Sequence, residues 1–376
     1  MKKKILVILG TRPEAIKMTS VIEALRARES LRCVLCATGQ HEELMEGAWW
    51  DGQPLLEYRR SVMRKGQSLT SLTERILSEV DEVLLKERPD LVLVQGDTTT
   101  AFASALAAFY REIPVGHVEA GLRTGLIRSP FPEEWNRRGI GLLADLHFAP
   151  TRRAKENLLR EGVPAERITV TGNTGIDVLK RRIQKDFFHP LLEWSGSGRL
   201  LLLTCHRREN EGAVMERILR GIRRAIEEFP EDRVLFPVHP RQGLRDMAEE
   251  QLGDCPQIRL VDPLSPVVFQ NLMARSYLVL TDSGGIQEEA PFLQKPVLVL
   301  RRETERIEGL ETGVARLIGT TEDSVYRGVR ELLENHGLYD AMRRGKNPYG
   351  DGKAGERIAD LLEELWEEDG VLSKKA

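Results

Sequence analysis

Apolar runs of strand length alternate with helical patterns along almost the whole chain, and few folds are compatible with that grammar. The first series reads as strand Lys4 to Gly10, helix from Pro13, strand Arg32 to Thr38, helix Leu69 to Lys86, strand Leu91 to Gln95, helix from Thr99 and strand Pro114 to Glu119. A second series places strands over Leu200 to Thr204, Val234 to Val238, Ile258 to Val261, Tyr277 to Thr281 and Pro296 to Leu300, each followed by a helix-like segment. Strands that are apolar throughout are buried on both faces, so each series predicts a parallel, doubly wound sheet with helices on either side. Between the series the chain loses strand character and ends in a Ser/Gly cluster at 195–198. The expected α/β architecture is two Rossmann-like domains, 1–173 and 174–353, with a C-terminal helix over 354–368 crossing back to complete the first. At 376 residues the chain is long enough for each domain to bury its own core.

Open sheets of this kind bind ligands beyond the C-terminal ends of their strands. Most of the chain's distinctive polar motifs stand there: "GTRPEAIK", "GDTTT" and "HVEAGLRTG" in the first series, "CHRREN", "PVHPR" and "TDSGG" in the second. Two such rims facing each other would enclose a cleft. Arg12 and Lys17 flank a helix start and offer a guanidinium, a point charge and free amides to an anion. No G-x-G-x-x-G follows either first strand and no Walker sequence occurs, which argues against nicotinamide and P-loop chemistry. Asp97, Glu119 and Glu133 are carboxylates at or near strand ends, candidates for acid-base work on one substrate. Their spacing does not suit a metal, and none is expected. His206 and His239 follow strands at equivalent positions in the second series, where at least one is expected to face a ligand.

The stretch "TDSGGIQEEA" reads as a strand end, a tight Gly284-Gly285 turn and a helix start, an arrangement suited to phosphate, yet Glu288 and Glu289 follow at once. Diphosphate at the amides of Ser283, Gly284 and Gly285 would leave Glu289 more than a turn deeper, free to accept hydrogen bonds from the hydroxyls of a ribose. Phe269 would pack against the base, and the run "RRETER" at 301–306, by default a solvated charge run, could also clamp the diphosphate. The ligand expected is a nucleoside diphosphate.

Charge and composition narrow the partners. A net charge of -3 on a chain that is 30% charged advertises no nucleic-acid surface and no anionic membrane. The N-terminal "MKKKILVILG" reads as a strand rather than a signal peptide, and no apolar run approaches the roughly 20 residues of a membrane helix. Cys33 and Cys36 lie in one strand, where alternation points their thiols to opposite faces; with Cys205 and Cys255 they are expected to be reduced, in a cytoplasmic protein.

The blocks "GTRPEAIKM", "GDTTT", "GHVEAGLRTG", "FPEEWNR", "HRREN", "TDSGGIQEEAP", "KPVLVLR" and "NPYGDG" together resemble the bacterial non-hydrolysing UDP-N-acetylglucosamine 2-epimerases, and they span nearly the whole chain in family order. The resemblance implies a glycosyltransferase-B-like fold, a homodimer and no cofactor. It implies interconversion of UDP-GlcNAc and UDP-ManNAc through elimination of UDP to 2-acetamidoglucal and its re-addition, supplying precursors of cell-surface polysaccharide. By resemblance Asp97, Glu119, Glu133 and His206 occupy catalytic positions, with the base that takes the C2 proton left open. Arg12, Lys17, Ser283, Gly284, Gly285, Glu289 and Arg306 match nucleotide-sugar contacts, and Phe269 falls near the uracil. Many members also bind a second UDP-GlcNAc as activator, for which Gln40, His41, Arg208 and His239 are the candidates here. The competing readings are a glycosyltransferase of the same architecture, a hydrolysing epimerase and a silent nucleotide-sugar sensor.

Overall fold

The structure, a computed structural model, describes residues 2–40 and 56–367, without the side chains of Arg208, Gln242 and Glu367. Its contacts divide the chain into two units: the first takes in residues up to Val178 and resumes at Tyr349, and the second is Leu179–Pro348. The expected boundaries lay a few residues away, in the turns before 174 and 354.

The first unit begins with β1 (Lys3–Leu9), α1 (Arg12–Arg26), β2 (Leu31–Ala37), β3 (Tyr58–Arg59), α2 (Leu69–Glu87), β4 (Leu91–Gln95) and α3 (Thr99–Tyr110). It continues through β5 (Val115–Val118), α4 (Glu133–Leu143), β6 (Leu146–Ala149), α5 (Arg152–Arg160), β7 (Ile168–Val170) and α6 (Thr174–Arg182), within which the chain changes unit. The seven strands are parallel, in the order β3-β2-β1-β4-β5-β6-β7. Alternation along β1 sorts its side chains between two layers. Ile5, Val7 and Leu9 pack with Ala15, Met18 and Val21 of α1, while Leu6 and Ile8 pack with Ile76 and Val80 of α2 and with α3. Cys33 joins the first of these clusters and Cys36 the second, on opposite faces as alternation requires.

The second unit carries α7 (Pro190–Ser195), β8 (Leu200–Thr204), α8 (Ala213–Ile226), β9 (Arg233–Pro237), α9 (Gln242–Leu252), β10 (Ile258–Val261) and α10 (Pro266–Arg275). After these come β11 (Leu278–Thr281), α11 (Gly284–Phe292), β12 (Val297–Val299), α12 (Ile307–Glu311), β13 (Ala315–Leu317), α13 (Glu322–Glu334) and α14 (His336–Arg344). Its six parallel strands run β10-β9-β8-β11-β12-β13. One face of this sheet is filled by Ile218, Leu219 and Ile222 of α8 with Val325, Val329 and Leu332 of α13.

Four strands were not expected: β3, β6, β7 and β13. Each has two to four residues and lies at or near a sheet edge, too short for a pattern to show. Gly284 and Gly285 are also corrected, since they form the first turn of α11 itself rather than a turn before it.

The last described helix, α15 (Ala354–Glu367), belongs to the first unit. Ile358, Ala359 and Leu362 join the cluster around α1. Asp177 on α6 accepts hydrogen bonds from the N–H groups of Ala354 (3.0 Å) and Gly355 (2.7 Å), capping the helix start. A side chain at Gly355 would run into the Ser20 carbonyl of α1, so glycine is what permits the close approach of the two helices.

Candidate active site

In the first sheet the strand order reverses between β1 and β4, the switch point at which such sheets bind ligands. The helix after β1, α1, carries Arg12 and Lys17, the turn after β4 carries Asp97, and β5 delivers Glu119 one residue past its end. These groups are linked into one cluster. Lys17 Nζ meets Glu119 Oε2 at 2.5 Å, and Gln95 Nε2 donates to the same oxygen at 2.8 Å. Buried Arg137 of α4 donates from Nη2 to Asp97 Oδ2 (2.5 Å) and Glu119 Oε1 (3.4 Å), and from Nη1 to the Glu119 carbonyl (2.6 Å). Asn136 completes the hold on Asp97 by donating to its carbonyl at 2.9 Å. Glu119 has φ +67°, a left-handed conformation that costs a non-glycine residue energy and that the surrounding bonds over-determine.

Glu133 is the first residue of α4, three and four positions before Asn136 and Arg137, so all three share the helix face turned to Asp97. Its Oε2 is buried without a hydrogen-bond partner among the described residues. Arg12, half-buried at the start of α1, has no ion pair among the described residues. Behind the cluster, Glu14 braces the two turns. It accepts from the N–H groups of Gly10 (3.1 Å) and Thr11 (2.7 Å) and from the hydroxyls of Thr11 (2.7 Å) and Thr98 (2.8 Å). Burial pushes its carboxyl up to about 7 against these four bonds.

The second sheet reverses between β8 and β11. Here the organiser is Asp282, fully buried, whose Oδ2 accepts from the N–H groups of His206 (2.9 Å) and Arg207 (2.9 Å), from Asn210 Nδ2 (3.0 Å) and from the Cys205 thiol (3.3 Å). It thereby folds the whole "CHRREN" segment. The His206 ring stacks on that of His239, with centroids 6.1 Å apart, and His239 Nδ1 accepts from the Arg241 N–H at 3.2 Å.

Beyond β11, Ser283 caps α11, but its own N–H is taken by Thr281 Oγ1 at 2.9 Å. The first intrahelical bond is donated by Gln287, so the amides of Gly284, Gly285 and Ile286 are the ones left over for an anion. Glu288 causes no conflict there, because Arg306 Nε holds it at 2.7 Å. Within the 301–306 run Arg302 and Glu303 are exposed, while Arg301, Glu305 and Arg306 are paired. Arg301 is buried between Glu209 and Glu305 (2.7 Å each), while Arg306 also reaches Glu305 at 3.0 Å beside Gly284. Glu289 accepts from Gln270 Nε2 at 3.2 Å, next to half-buried Phe269 on α10.

The structure thus gathers Lys17, Asp97 and Glu119 in the first unit, and Gly284 with Arg306, and Glu289 with Gln270, in the second. Gln40 is tied down through Oε1 by the N–H (3.2 Å) and hydroxyl (2.8 Å) of Thr100. His41 and the Arg208 side chain lie outside the described residues. Sequence reasoning passed over Arg137, Gln95, Glu14 and Asp282. Arg137 and Asp282 stand inside the quoted blocks "FPEEWNR" and "TDSGGIQEEAP", and Glu14 inside "GTRPEAIKM", but nothing local marks what they bind.

The profile of the UDP-N-acetylglucosamine 2-epimerases matches residues 23–363. The chain belongs to that family. A UDP-N-acetylglucosamine 2-epimerase of Bacillus subtilis (strain 168) is 46% identical over 361 residues, covering 96% of this chain and 95% of that protein. Among solved structures, one from Listeria monocytogenes matches with a TM-score of 0.92 at 45% identity, covering 98% of both chains. The UDP-GlcNAc 2-epimerase of Neisseria meningitidis, solved bound to UDP-GlcNAc, matches with a TM-score of 0.84 at 39% identity over 96% of this chain and 100% of its own. As a member of the epimerase family the protein is an isomerase, built on two parallel-sheet α/β units. No described helix is long and apolar enough to cross a membrane.

Proposed function

We propose that the protein interconverts UDP-GlcNAc and UDP-ManNAc by elimination and re-addition of UDP. The observation that carries this reading is the convergence of Asp97 and Glu119 on Arg137 and Lys17 at the switch point of the first sheet, in a chain of this family. The C2 proton of the sugar is not next to a carbonyl, so its direct removal faces a prohibitive barrier. Elimination avoids that: the C1–O bond breaks with its electron pair leaving on UDP, the C2 proton passes to a base, and a C1–C2 double bond forms. Return of a proton to the other face of C2, with re-formation of the C1–O bond, gives the epimer.

The carboxylates Asp97, Glu119 and Glu133 and the imidazole of His206 are the groups assigned to the proton transfers. Arg12 and Lys17 in the first unit, and Ser283, Gly284, Gly285 and Arg306 in the second, are the groups assigned to nucleotide-sugar contacts, and donors of this kind stabilise the negative charge that grows on the diphosphate as C1–O breaks. Glu289 takes the ribose hydroxyls and Phe269 flanks the uracil. Lys17 serves both sides, since its charge also holds Glu119 in place. The free amides of α11 and the pairing of Glu288 with Arg306 support an anion there.

Proton NMR of UDP-GlcNAc incubated with the purified protein in D2O tests the reading. UDP-ManNAc carrying deuterium at C2 is the expected product, without added metal or nicotinamide. Free ManNAc with UDP means a hydrolysing enzyme, and an unchanged C2 proton removes the proposal.

A further inference from the structure

We propose that Asp282 is a positioning residue for His206, holding its imidazole as the Nδ1–H tautomer so that Nε2 is left as the proton acceptor. The inference rests on the reading above for what His206 does with that proton, but its own content is the state of the ring.

The argument starts from the two oxygens of one buried carboxylate. Oδ2 is saturated by four donors, three of them from the segment that carries His206 and its neighbours and one from the side chain of Asn210, whose amide also reaches the Leu300 carbonyl. Oδ1 has no hydrogen-bond partner among the described residues, although Asp282 is 0% exposed. A bare carboxylate oxygen in that position is costly unless something pairs with it. The nearest candidate is His206 Nδ1 at 3.7 Å. The imidazole is 44% exposed and its backbone is pinned to Oδ2, so a small rotation of the ring, with no movement of the chain, closes the gap to a hydrogen bond. A carboxylate oxygen can only accept, so the ring nitrogen facing it must carry the hydrogen. The tautomer follows: Nδ1–H inward and Nε2 outward with a free lone pair.

Among the described residues, the other groups near His206 do not compete for Nδ1. His239 meets the ring by stacking and spends its own Nδ1 on the Arg241 N–H. Arg207 points its guanidinium at Glu305. Nothing in this arrangement depends on the acceptor or donor state of the first unit's carboxylates, so the effect belongs to the second unit alone.

Asp282→Asn makes a discriminating variant. The amide carbonyl is required where Oδ2 now accepts its four donors, and that choice places the NH2 group where Oδ1 was. A donor then faces His206 Nδ1, which must turn acceptor, and the tautomer inverts to Nε2–H while the segment keeps its bonds.

The test is long-range 1H–15N correlation spectroscopy of 15N-histidine-labelled full-length protein at alkaline pH, with the His206 signals assigned from the His206→Gln spectrum. We expect Nδ1–H in the unmodified protein, where neutral histidine in water favours Nε2–H, and inversion in Asp282→Asn. Nε2–H in the unmodified protein overturns the inference, as does a tautomer that Asp282→Asn leaves unchanged. If Asp282→Asn does not fold, the unmodified protein's spectrum decides alone. Measured beside deuterium exchange at C2, the outcomes separate: Nδ1–H without exchange keeps the inference and removes the proposed function, and exchange with Nε2–H does the reverse.

Discussion

Arg137 shows how much one side chain can decide at this site. It is buried, and its planar fork reaches Asp97, Glu119 and the Glu119 carbonyl together, which a point charge cannot do. Arg137→Lys keeps the charge and loses the fork, so the two carboxylates should lose their mutual placement. We expect kcat to fall on the order of 10²-fold, the scale of a displaced acid-base group, measured as UDP-ManNAc formed from UDP-GlcNAc. Activity near that of the unmodified protein would mean the carboxylates place themselves. Asp97 and Glu119 were readable in the sequence because they are carboxylates at strand ends. Arg137 was not, because an arginine in "NRR" on a helix looks like a solvated face until the strands it points at are known. Asp282 was hidden for the same reason, since its donors lie 72 to 77 residues away along the chain.

At the scale of elements, β5 and β6 bring two histidines side by side inside the first sheet, His117 paired in register with His147. His117 donates Nε2–H to the Gly96 carbonyl at 2.7 Å, fixing the residue before Asp97. Burial holds His117 well below the usual histidine range and pushes His147 down to about 4. Both rings are therefore neutral in the fold and titrate near their ordinary value once unfolded. The unfolded chain binds protons first as pH falls, so the stability they contribute is present above about pH 6.5 and is lost as pH drops through 4. For His147 the loss is on the order of 2–3 kcal/mol. Thermal unfolding followed from pH 8 to 4.5 should show it, with a shallower fall in His147→Gln; equal slopes would exclude the histidine. β6 is a four-residue run that escaped the sequence reading, whereas β5, which also carries a histidine, was read within the longer stretch 114–119, and β1, β4, β8 and β11 were legible from their apolar runs.

At the scale of the whole molecule, the two parallel sheets could be expected from periodicity, while the return of the chain to the first unit was an expectation that periodicity alone did not compel. The return is built from interior contacts: Leu362 is fully buried against the α1 layer, and Asp177 caps α15. Leu362→Ala should cost about 2–5 kcal/mol, read as a shift in the denaturant midpoint of the first unit. A change within a few tenths of a kcal/mol would mean that α15 only rests on a core complete without it. The arrangement also has a temporal side. A ribosome makes the first unit's opening strands before all of the second unit, and α15 after it. At ordinary elongation rates the stretch from α1 to α15 takes about 15–65 s, during which the part of the α1 layer that α15 covers stays open. The unit that bears the carboxylates is finished only after the whole of the second unit and α15 have been made, so closure of the one is tied to synthesis of the other.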